Sequence, residues 1–282
     1  MTKLSIITVN LNDAEGLERT LKSVWENQSF SDFEHIVIDG GSTDESVNVI
    51  KKYSDKLSYW ISEPDNGIYN AMNKGIVAAK GEYLLFLNGG DWLADDVLKD
   101  VFCEEDMHED FIYGNFTYIY ANGKSRYREF EKEINYTTVF NDSLGHQSTF
   151  IKRSLFDAGL YREDFKIVSD WIFFVEHIIQ GHASTRHVDI NVAFFNDYGV
   201  SSAPLAYKKI LDEKRKFLSS YMGELSILLF DVSDQYLKCK DYIQYITDFR
   251  YDSFTTSSWI LHHTRKCVRV LFKLKKLLGV RR

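Results

Sequence analysis

Short apolar runs rich in β-branched residues alternate with helical patterns over the first ninety residues, and this alternation constrains the fold more than any other feature. The predicted strands are residues 4–9, 33–38, 59–61 and 83–87. Between the first two, apolar residues such as Leu17, Leu21 and Val24 recur at helical spacing. Strands that alternate with helices form a parallel, doubly wound sheet with right-handed crossovers. The sequence therefore predicts an α/β fold.

The pattern changes in the middle of the chain. Residues 111–113 indicate a short strand, and residues 116–127, with Asn122-Gly123 at their centre, indicate an antiparallel hairpin with a tight turn. Residues 170–180 return to helical spacing, and the chain from about Pro204 onward is helical in pattern with few turn signals. We therefore predict a core domain over residues 1–203 and a helical C-terminal extension over residues 204–282.

A polar loop follows each of the four predicted strands. Ligands of open parallel sheets bind beyond the carboxyl ends of the strands, so a binding site is expected in these loops. In chain order they contain Thr8, Asn10 and Asn12, then residues 39–44, 63–67 and 88–91. Three of the four loops combine carboxylates with glycine.

These loops and two later segments resemble the family 2 inverting glycosyltransferases of the A-type fold, in particular the branch that builds bacterial surface polysaccharides. The matching segments are SIITVN (5–10), DGGSTD (39–44), DNGIYNAMNKG (65–75), FLNGGD (86–91), GHQSTF (145–150) and SDW (169–171). The resemblance covers about residues 3–200 and implies a doubly wound, mostly parallel sheet. It also implies inverting transfer of a hexose or N-acetylhexosamine from a nucleotide donor, which we expect to be a UDP-sugar. The expected acceptor is a lipid-linked oligosaccharide in surface polysaccharide biosynthesis.

The resemblance implies a donor pocket at the ends of the first two strands. Asp39 would accept the ring N–H of uracil, and Thr8 and Asn10 would line the nucleoside pocket. Guanine also presents N–H donors, so Asp39 alone leaves the nucleotide open. In a purely structural alternative, Asp39 fills the turn before a helix that Ser42 and Glu45 cap, because their spacing matches a capping box.

Further donor contacts are expected from the next two loops. Asp65, Asn70 and Asn73 match the donor-loop motif of the family, and Asn88 lies in the loop after the fourth strand. With Gly67, the first three can instead form a turn and the first face of the following helix. That structural alternative is at least as good for Asn70.

Residues 88–91 fall where the family places its metal-binding motif, which implies Mn²⁺ or Mg²⁺ bridging the donor diphosphate. Gly90 stands where an aspartate is frequent in the family, so Asp91 is the expected carboxylate ligand. Hard cations are held by one or two carboxylates plus phosphate oxygens and water, so one carboxylate can suffice, with weak metal affinity in the absence of donor. Alternatively, Asp91 caps a helix predicted around residues 94–101.

Asp170 matches the catalytic base of the family. In an inverting displacement this carboxylate takes the proton of the attacking acceptor hydroxyl, without a covalent sugar-enzyme intermediate. An aspartate at a helix start is also an ordinary N-terminal stabiliser, and the two roles can coexist. His146 and Gln147 match an acceptor-side pair for sugar hydroxyls or the diphosphate, although lone histidines are more often packed or solvated. We expect Asp39, Asp91 and Asp170 to face one cleft.

Charge is distributed unevenly along the chain. Residues 264–282 hold eight basic residues and no acidic one, whereas residues 1–263 hold 26 basic and 41 acidic residues. The acidic body argues against nucleic-acid binding. In the tail, leucines recur on one helical stripe with cations nearly opposite, which predicts a helix lying on an anionic membrane surface. The alternative is a helix packed on its own domain with a solvated basic edge.

Three scattered cysteines, no signal peptide and no long apolar segment predict a cytoplasmic protein, peripheral on the inner face of the cell membrane. A nucleotidyltransferase is disfavoured, because residues 8–13 contain neither the glycine nor the cation typical of its first loop. The remaining alternative, raised by Gly90, is a non-catalytic, membrane-associated partner protein that keeps the glycosyltransferase fold.

Overall fold

A computed structural model describes residues 2–102, 107–134, 139, 143–196, 206–221 and 230 of the chain. The chain divides into two compact units, one of residues 1–135 and 143–210 and the other of residues 136–142 and 211–282. All the candidate site residues belong to the larger unit. The division into residues 1–203 and 204–282 remains a prediction.

Nine strands of the described chain form one sheet. They are β1 (Leu4–Asn10), β2 (Phe33–Asp39), β3 (Tyr59–Ser62), β4 (Tyr83–Phe86), β5 (Trp92–Leu93), β6 (Phe111–Ile119), β7 (Ser125–Arg128), β8 (Thr149–Lys152) and β9 (Thr185–Asn196). Their order is β3-β2-β1-β4-β8-β6-β9-β5, and β7 pairs with β6. Strands β3, β2, β1 and β4 are mutually parallel, which confirms the doubly wound arrangement.

Three helices connect the four parallel strands, and three more occur later in the described chain. They are α1 (Ala14–Trp25), α2 (Ser46–Lys52), α3 (Ile68–Ala78), α4 (Val97–Phe102), α5 (Ser169–Phe174) and α6 (Ala206–Tyr221). Asp13 caps α1, because its Oδ1 accepts the Gly16 N–H at 2.9 Å. After α5 the chain continues as a π-helical segment, Val175–Gln180, a departure from α geometry that is frequent near functional sites.

The predicted capping box before α2 is wrong. The helix begins at Ser46, and Glu45 makes no side-chain cap hydrogen bond. The Ser42 hydroxyl instead donates to Asp39 Oδ1 at 2.5 Å, while Asp44 Oδ1 accepts the Ser46 N–H at 3.0 Å. A capping side chain must accept a backbone N–H of its helix, and the Ser42 oxygen instead accepts the N–H of Asn12 at 2.8 Å.

The second half of the sheet is mixed. Strand β8 is antiparallel to both β4 and β6, and β9 runs parallel to β6. The predicted hairpin is confirmed as β6 and β7, with Gly123 in the left-handed region at φ 75°. Strands β5, β8 and β9 were not predicted.

A buried apolar core fixes the sheet beneath the polar loops. Side chains of adjoining strands, among them Ile6, Leu85, Ile112 and Phe150, are fully buried in one cluster. Burial of each such side chain contributes about 1.5–3 kcal/mol relative to exposure, so the strand ends are rigid supports for the loops.

The basic tail, residues 264–282, lies outside the described residues. Among the helices that the structure does describe, none combines the length and the apolar character needed to cross a bilayer. Membrane association through the tail therefore remains a prediction.

Candidate functional site

A cavity of about 950 Å³ lies at the carboxyl ends of β1 and β4. Its lining includes five of the candidate residues, Asn10, Asn88, Asp91, His146 and Asp170. Asn10, Asn88 and Asp91 meet because the parallel strands β1 and β4 end at the same edge of the sheet. His146 and Asp170 reach the cavity from a 3₁₀ turn before β8 and from the first turn of α5. The geometry therefore supports one site built from several loops.

Asp39 does not line this cavity, so only Asp91 and Asp170 of the three expected carboxylates face it. Asp39 is fully buried at the end of β2. Its carboxylate accepts hydrogen bonds from Asn10 Nδ2 at 2.9 Å, Ser62 Oγ at 2.6 Å, and both the N–H and the hydroxyl of Ser42. Burial raises its pKa, but these donors outweigh burial and lower the pKa below the ordinary value. Asp39 thus stays ionised and holds Asn10 at the cavity.

Thr8 also lies beneath the cavity, outside its lining. Its Oγ1 is 2.9 Å from Nε2 of His35, and both residues are fully buried. Burial lowers the pKa of His35 to about 3, so the imidazole is neutral in the folded protein. In this structure the Thr8 side chain links β1 to β2. Because it does not line the cavity, the cavity gives no support to its predicted contact with the nucleoside.

Asp91, the last residue of the loop after β4, is only 3% exposed. Its Oδ1 accepts the Asn196 N–H at 2.9 Å. Burial raises the pKa of Asp91 to about 7, opposed by the Asn196 hydrogen bond and by His146 and assisted by the charge of Asp13. Burial disfavours the charged form of a carboxyl group, so such a group is stabilised either by binding a proton or by a cation beside it. Because α4 begins at Val97, Asp91 does not cap that helix.

Thr20 of α1 fastens the loop that carries Asp91. Its hydroxyl donates to the Asp91 carbonyl at 2.6 Å and accepts the Gly90 N–H at 3.0 Å. Gly90 has φ 99°, a conformation that other residues adopt only with strain. A Cβ there would also lie 3.1 Å from Asp13 Oδ2. The backbone thus accounts for glycine at the position where the family commonly has aspartate.

The residues around Asp91 fit a divalent cation that is bound together with a diphosphate. No group of three or more His, Cys, Asp or Glu side chains in the described part of the chain forms an all-protein metal cage. No residue that the structure describes donates a hydrogen bond to the buried Asn88 Oδ1, so a ligand or its water can satisfy it. Mg²⁺ and Mn²⁺ favour such oxygen-rich sites, in which substrate phosphates and water complete the coordination.

Asp170, in the first turn of α5, is the centre of a hydrogen-bonded cluster. Its Oδ1 accepts the Tyr69 hydroxyl and the Trp171 N–H, each at 2.8 Å, and its Oδ2 lies 3.4 Å from His146 Nδ1. Burial raises the pKa of Asp170, but His146, Tyr69 and the Trp171 N–H together lower it below the ordinary value. The carboxylate is therefore ionised at neutral pH and ready to accept a proton.

His146 connects Asp170 to the loop after β4, because its Nε2 lies 3.0 Å from Asn88 Nδ2. An amide nitrogen only donates, so Nε2 is the acceptor and Nδ1 carries the proton that faces Asp170. Gln147 follows in the same 3₁₀ turn but is 2% exposed and outside the cavity lining. Of the predicted acceptor-side pair, only His146 reaches the cavity.

The three donor-loop residues lie outside the cavity lining. Asn70 and Asn73 each donate an amide hydrogen bond to Glu163 at 3.0 Å, and both line a second groove of about 710 Å³. Asp65 Oδ1 accepts the Gly67 N–H at 2.8 Å. These contacts match the structural alternative, a turn and a helix face tied to the chain around residue 163.

Sequence reasoning missed several polar residues of the cavity lining, among them Asp13, Arg19, Tyr69 and Lys166. Tyr69 lies inside the matched segment 65–75, directly before the candidate Asn70, and this position could have marked it as a candidate site residue. Arg19 belongs to α1, where its guanidinium packs over the ring of Trp92 at 5.0 Å, a contact that no local pattern reveals.

Comparisons with known proteins agree with this geometry. Residues 5–165 match the family described as Glycosyl transferase family 2. A PGL/p-HBAD biosynthesis glycosyltransferase of Mycobacterium bovis is 32% identical over 227 residues, 78% of this chain and 86% of the relative.

Two solved structures share the fold at low sequence identity. S. aureus TarS 1–349 in complex with UDP-GlcNAc has a TM-score of 0.62 and 20% identity, and the match covers 85% of this chain and 72% of that one. Against a longer TarS structure the chain spans 43% of its length. The mannosyltransferase PcManGT from Pyrobaculum calidifontis, in complex with GDP-Man and Mn²⁺, has a TM-score of 0.60 and 11% identity, covering 99% and 88% of the two chains.

The family match contains β1 to β4 and the loops that follow them, together with β8 and His146, and Asp170 lies just beyond it. The solved structures confirm the predicted A-type glycosyltransferase fold. The match spans more than half of the chain, and the mycobacterial relative extends over most of it. The chain therefore belongs to glycosyl transferase family 2.

Proposed function

We propose that this glycosyltransferase moves a hexose or N-acetylhexosamine from a nucleotide donor to a saccharide by an inverting displacement in the cavity of Asp91 and Asp170. One observation carries the proposal. Two carboxylates at one cavity have opposite electrostatic surroundings, with the pKa of Asp91 raised to about 7 by burial and that of Asp170 lowered by hydrogen-bond donors that outweigh burial. Pairs of titratable groups whose pKa values are shifted in opposite directions have different roles. The buried Asp91 carboxylate gains from an adjacent cation, whereas the ionised Asp170 carboxylate can accept a proton.

Asp170 is the proposed general base. The acceptor hydroxyl oxygen attacks the anomeric carbon while its proton passes to the Asp170 carboxylate. The bond between the anomeric carbon and the phosphate oxygen breaks, and the nucleoside diphosphate leaves with the electron pair. A single displacement inverts the configuration at the anomeric carbon and needs no second carboxylate as nucleophile.

Asp91 is the residue proposed to hold Mn²⁺ or Mg²⁺. When bound, such a cation neutralises charge that develops on the departing diphosphate. Asn88 and Asn10 line the same cavity and would contact the donor, while Asp39 acts through Asn10. The UDP-GlcNAc complex of TarS makes UDP-GlcNAc the first donor to test.

The proposed acceptor is a lipid-linked saccharide at the inner face of the cell membrane, in surface polysaccharide biosynthesis. Its support is the basic, amphipathic pattern of residues 264–282, which is typical of helices that lie on anionic lipid. The non-catalytic alternative rested on Gly90. That support is weakened, since the positive φ and the adjacent Asp13 account for the glycine.

The test compares Asp170→Asn with the wild type in donor turnover and in donor binding. The amide retains an oxygen for the Tyr69 hydroxyl and the Trp171 N–H, so we expect donor affinity to persist while turnover falls by about 10²–10⁴-fold. Asp164→Asn is the matched control, because it removes a nearby carboxylate outside the cavity lining. Full turnover by Asp170→Asn would refute the base assignment. Failure of UDP-, GDP- and dTDP-sugars to bind, with or without Mn²⁺, would favour the non-catalytic alternative.

A further inference from the structure

We propose that Tyr69 is a positioning residue for Asp170, holding one carboxylate oxygen so that the other is presented for proton transfer. The inference rests on the proposed function, because it assigns a task to Tyr69 only if Asp170 is the base. Tyr69 lies in the first turn of α3 and lines the same cavity as Asp170.

The Tyr69 hydroxyl sits between two acceptors. Its oxygen is 2.8 Å from Asp170 Oδ1 and 2.8 Å from the Ile167 carbonyl oxygen. A phenol has one proton to donate, and a charged carboxylate is a stronger acceptor than a neutral carbonyl. The hydroxyl therefore donates to Asp170.

Two donors thus converge on the same oxygen of Asp170. The Trp171 N–H also donates to Oδ1 at 2.8 Å, whereas Oδ2 has His146 Nδ1 at the longer distance of 3.4 Å. The oxygen with two short hydrogen bonds is fixed and weakly basic. Oδ2 is the less constrained oxygen, and it is the one that would take the acceptor proton.

The donor role of Tyr69 persists over the working pH range. Burial raises the pKa of the phenol well above its ordinary value, and the charge of Asp170 raises it further. The titratable groups that act on Asp170 are Tyr69 from α3, His146 from the 3₁₀ turn and Tyr161 from the segment before α5. Burial by itself raises the pKa of Asp170, so the Tyr69 donor helps to keep the carboxyl in the ionised form that can act as a base.

Tyr161 provides a matched control within the same aromatic cluster. Its ring centroid lies 5.6 Å from that of Tyr69, and it is buried to a similar degree. Its hydroxyl has no hydrogen-bond partner within the described residues. Tyr161→Phe and Tyr69→Phe thus make the same chemical change at neighbouring sites, and only Tyr69→Phe removes a hydrogen bond to Asp170.

The experiment titrates the Asp170 carboxyl directly, in protein labelled with ¹³C at the aspartate side-chain carboxyl carbon. The resonance that disappears in Asp170→Asn identifies the residue. We expect Tyr69→Phe to raise the carboxyl pKa by about one unit, the shift that loss of a hydrogen bond to a charged group produces, and Tyr161→Phe to leave it unchanged. In Tyr69→Phe the apparent pKa of the acid limb of the kcat profile should rise by the same amount. Loss of positioning should also make kcat roughly tenfold lower, with an unchanged KM for the donor.

An unchanged carboxyl titration in Tyr69→Phe overturns the proposal, and so does an equal shift in both tyrosine variants, which would indicate a general effect of the cluster. A shifted titration with an unchanged kcat profile overturns the role of Tyr69 in the reaction. Full turnover by Asp170→Asn is a separate result that refutes the proposed base, whereas the titrations of Asp170 in wild type and in the two tyrosine variants still report whether Tyr69 acts on the carboxyl.

Discussion

His35 should make the folded protein sensitive to acid through a single buried imidazole. Burial lowers its pKa to about 3 in the folded protein, against an ordinary value of 6.5. Between these values the unfolded chain binds a proton that the folded chain does not, so stability falls as the pH falls. The stability that neutral His35 contributes is fully present above the pKa of the unfolded chain, 6.5. It is lost progressively as the pH falls from there towards the pKa of the folded protein, about 3.

The magnitude follows from the two pKa values. One pKa unit corresponds to about 1.4 kcal/mol, so this residue costs about 3 kcal/mol of unfolding free energy between about pH 7 and about pH 4.5. That is a large share of the roughly 5–15 kcal/mol that stabilises a typical domain. His35→Gln keeps a polar group beside Thr8 Oγ1 but does not titrate.

The assay is urea unfolding of wild type, His35→Gln and His108→Gln at the two pH values. The readout is the decrease in unfolding free energy of each protein from the higher to the lower pH. This difference is used because His35→Gln is itself expected to lower stability at neutral pH through altered packing. His108 is exposed, so its variant should keep the wild-type loss. We expect the loss in His35→Gln to be smaller by about 3 kcal/mol. An equal loss in wild type and His35→Gln would refute the reasoning.

Three further predictions concern the metal loop and the tail. Asp91→Asn should weaken Mn²⁺-dependent nucleotide binding by at least about tenfold in calorimetry, since the buried carboxylate is the expected cation ligand; an unchanged affinity would count against that role. Gly90→Asp should lower stability by about 1–3 kcal/mol in thermal unfolding without strengthening Mn²⁺ binding, because its φ is 99° and Asp13 occupies the adjacent space; a stable variant with tighter Mn²⁺ binding would contradict this. Truncation after Ser258 should reduce cosedimentation with anionic vesicles, and equal binding by both chains would remove the membrane proposal.

The parallel half of the sheet was predictable because its signals are local. Strands β1 to β4 and helices α1 and α3 have apolar periodicities complete within each segment. Strand β5 has only two residues, and β9 is mostly half-buried, so neither carries a clear alternation. The capping box failed because the Ser42 oxygen accepts the Asn12 N–H while its proton goes to Asp39, contacts that spacing alone does not reveal.

The site was predictable where it depends on strand direction. Asn10, Asn88 and Asp91 follow parallel strands and therefore meet at one edge of the sheet. Whether a polar side chain beside them faces the cavity depends on its partner, and Thr8 is turned towards His35. The contact between Tyr69 and Asp170 joins residues 101 positions apart, a long-range contact that no sequence pattern specifies.

The stereochemistry of donor hydrolysis tests the central claim most directly, because water can replace the unknown acceptor. UDP-GlcNAc carries an α-linked sugar, so attack by one water with proton transfer to Asp170 should release β-N-acetylglucosamine first, seen by proton NMR before the anomers equilibrate. Release of the β anomer by the wild type, and its loss in Asp170→Asn, is the predicted result. Initial release of the α anomer would contradict a single displacement at this site.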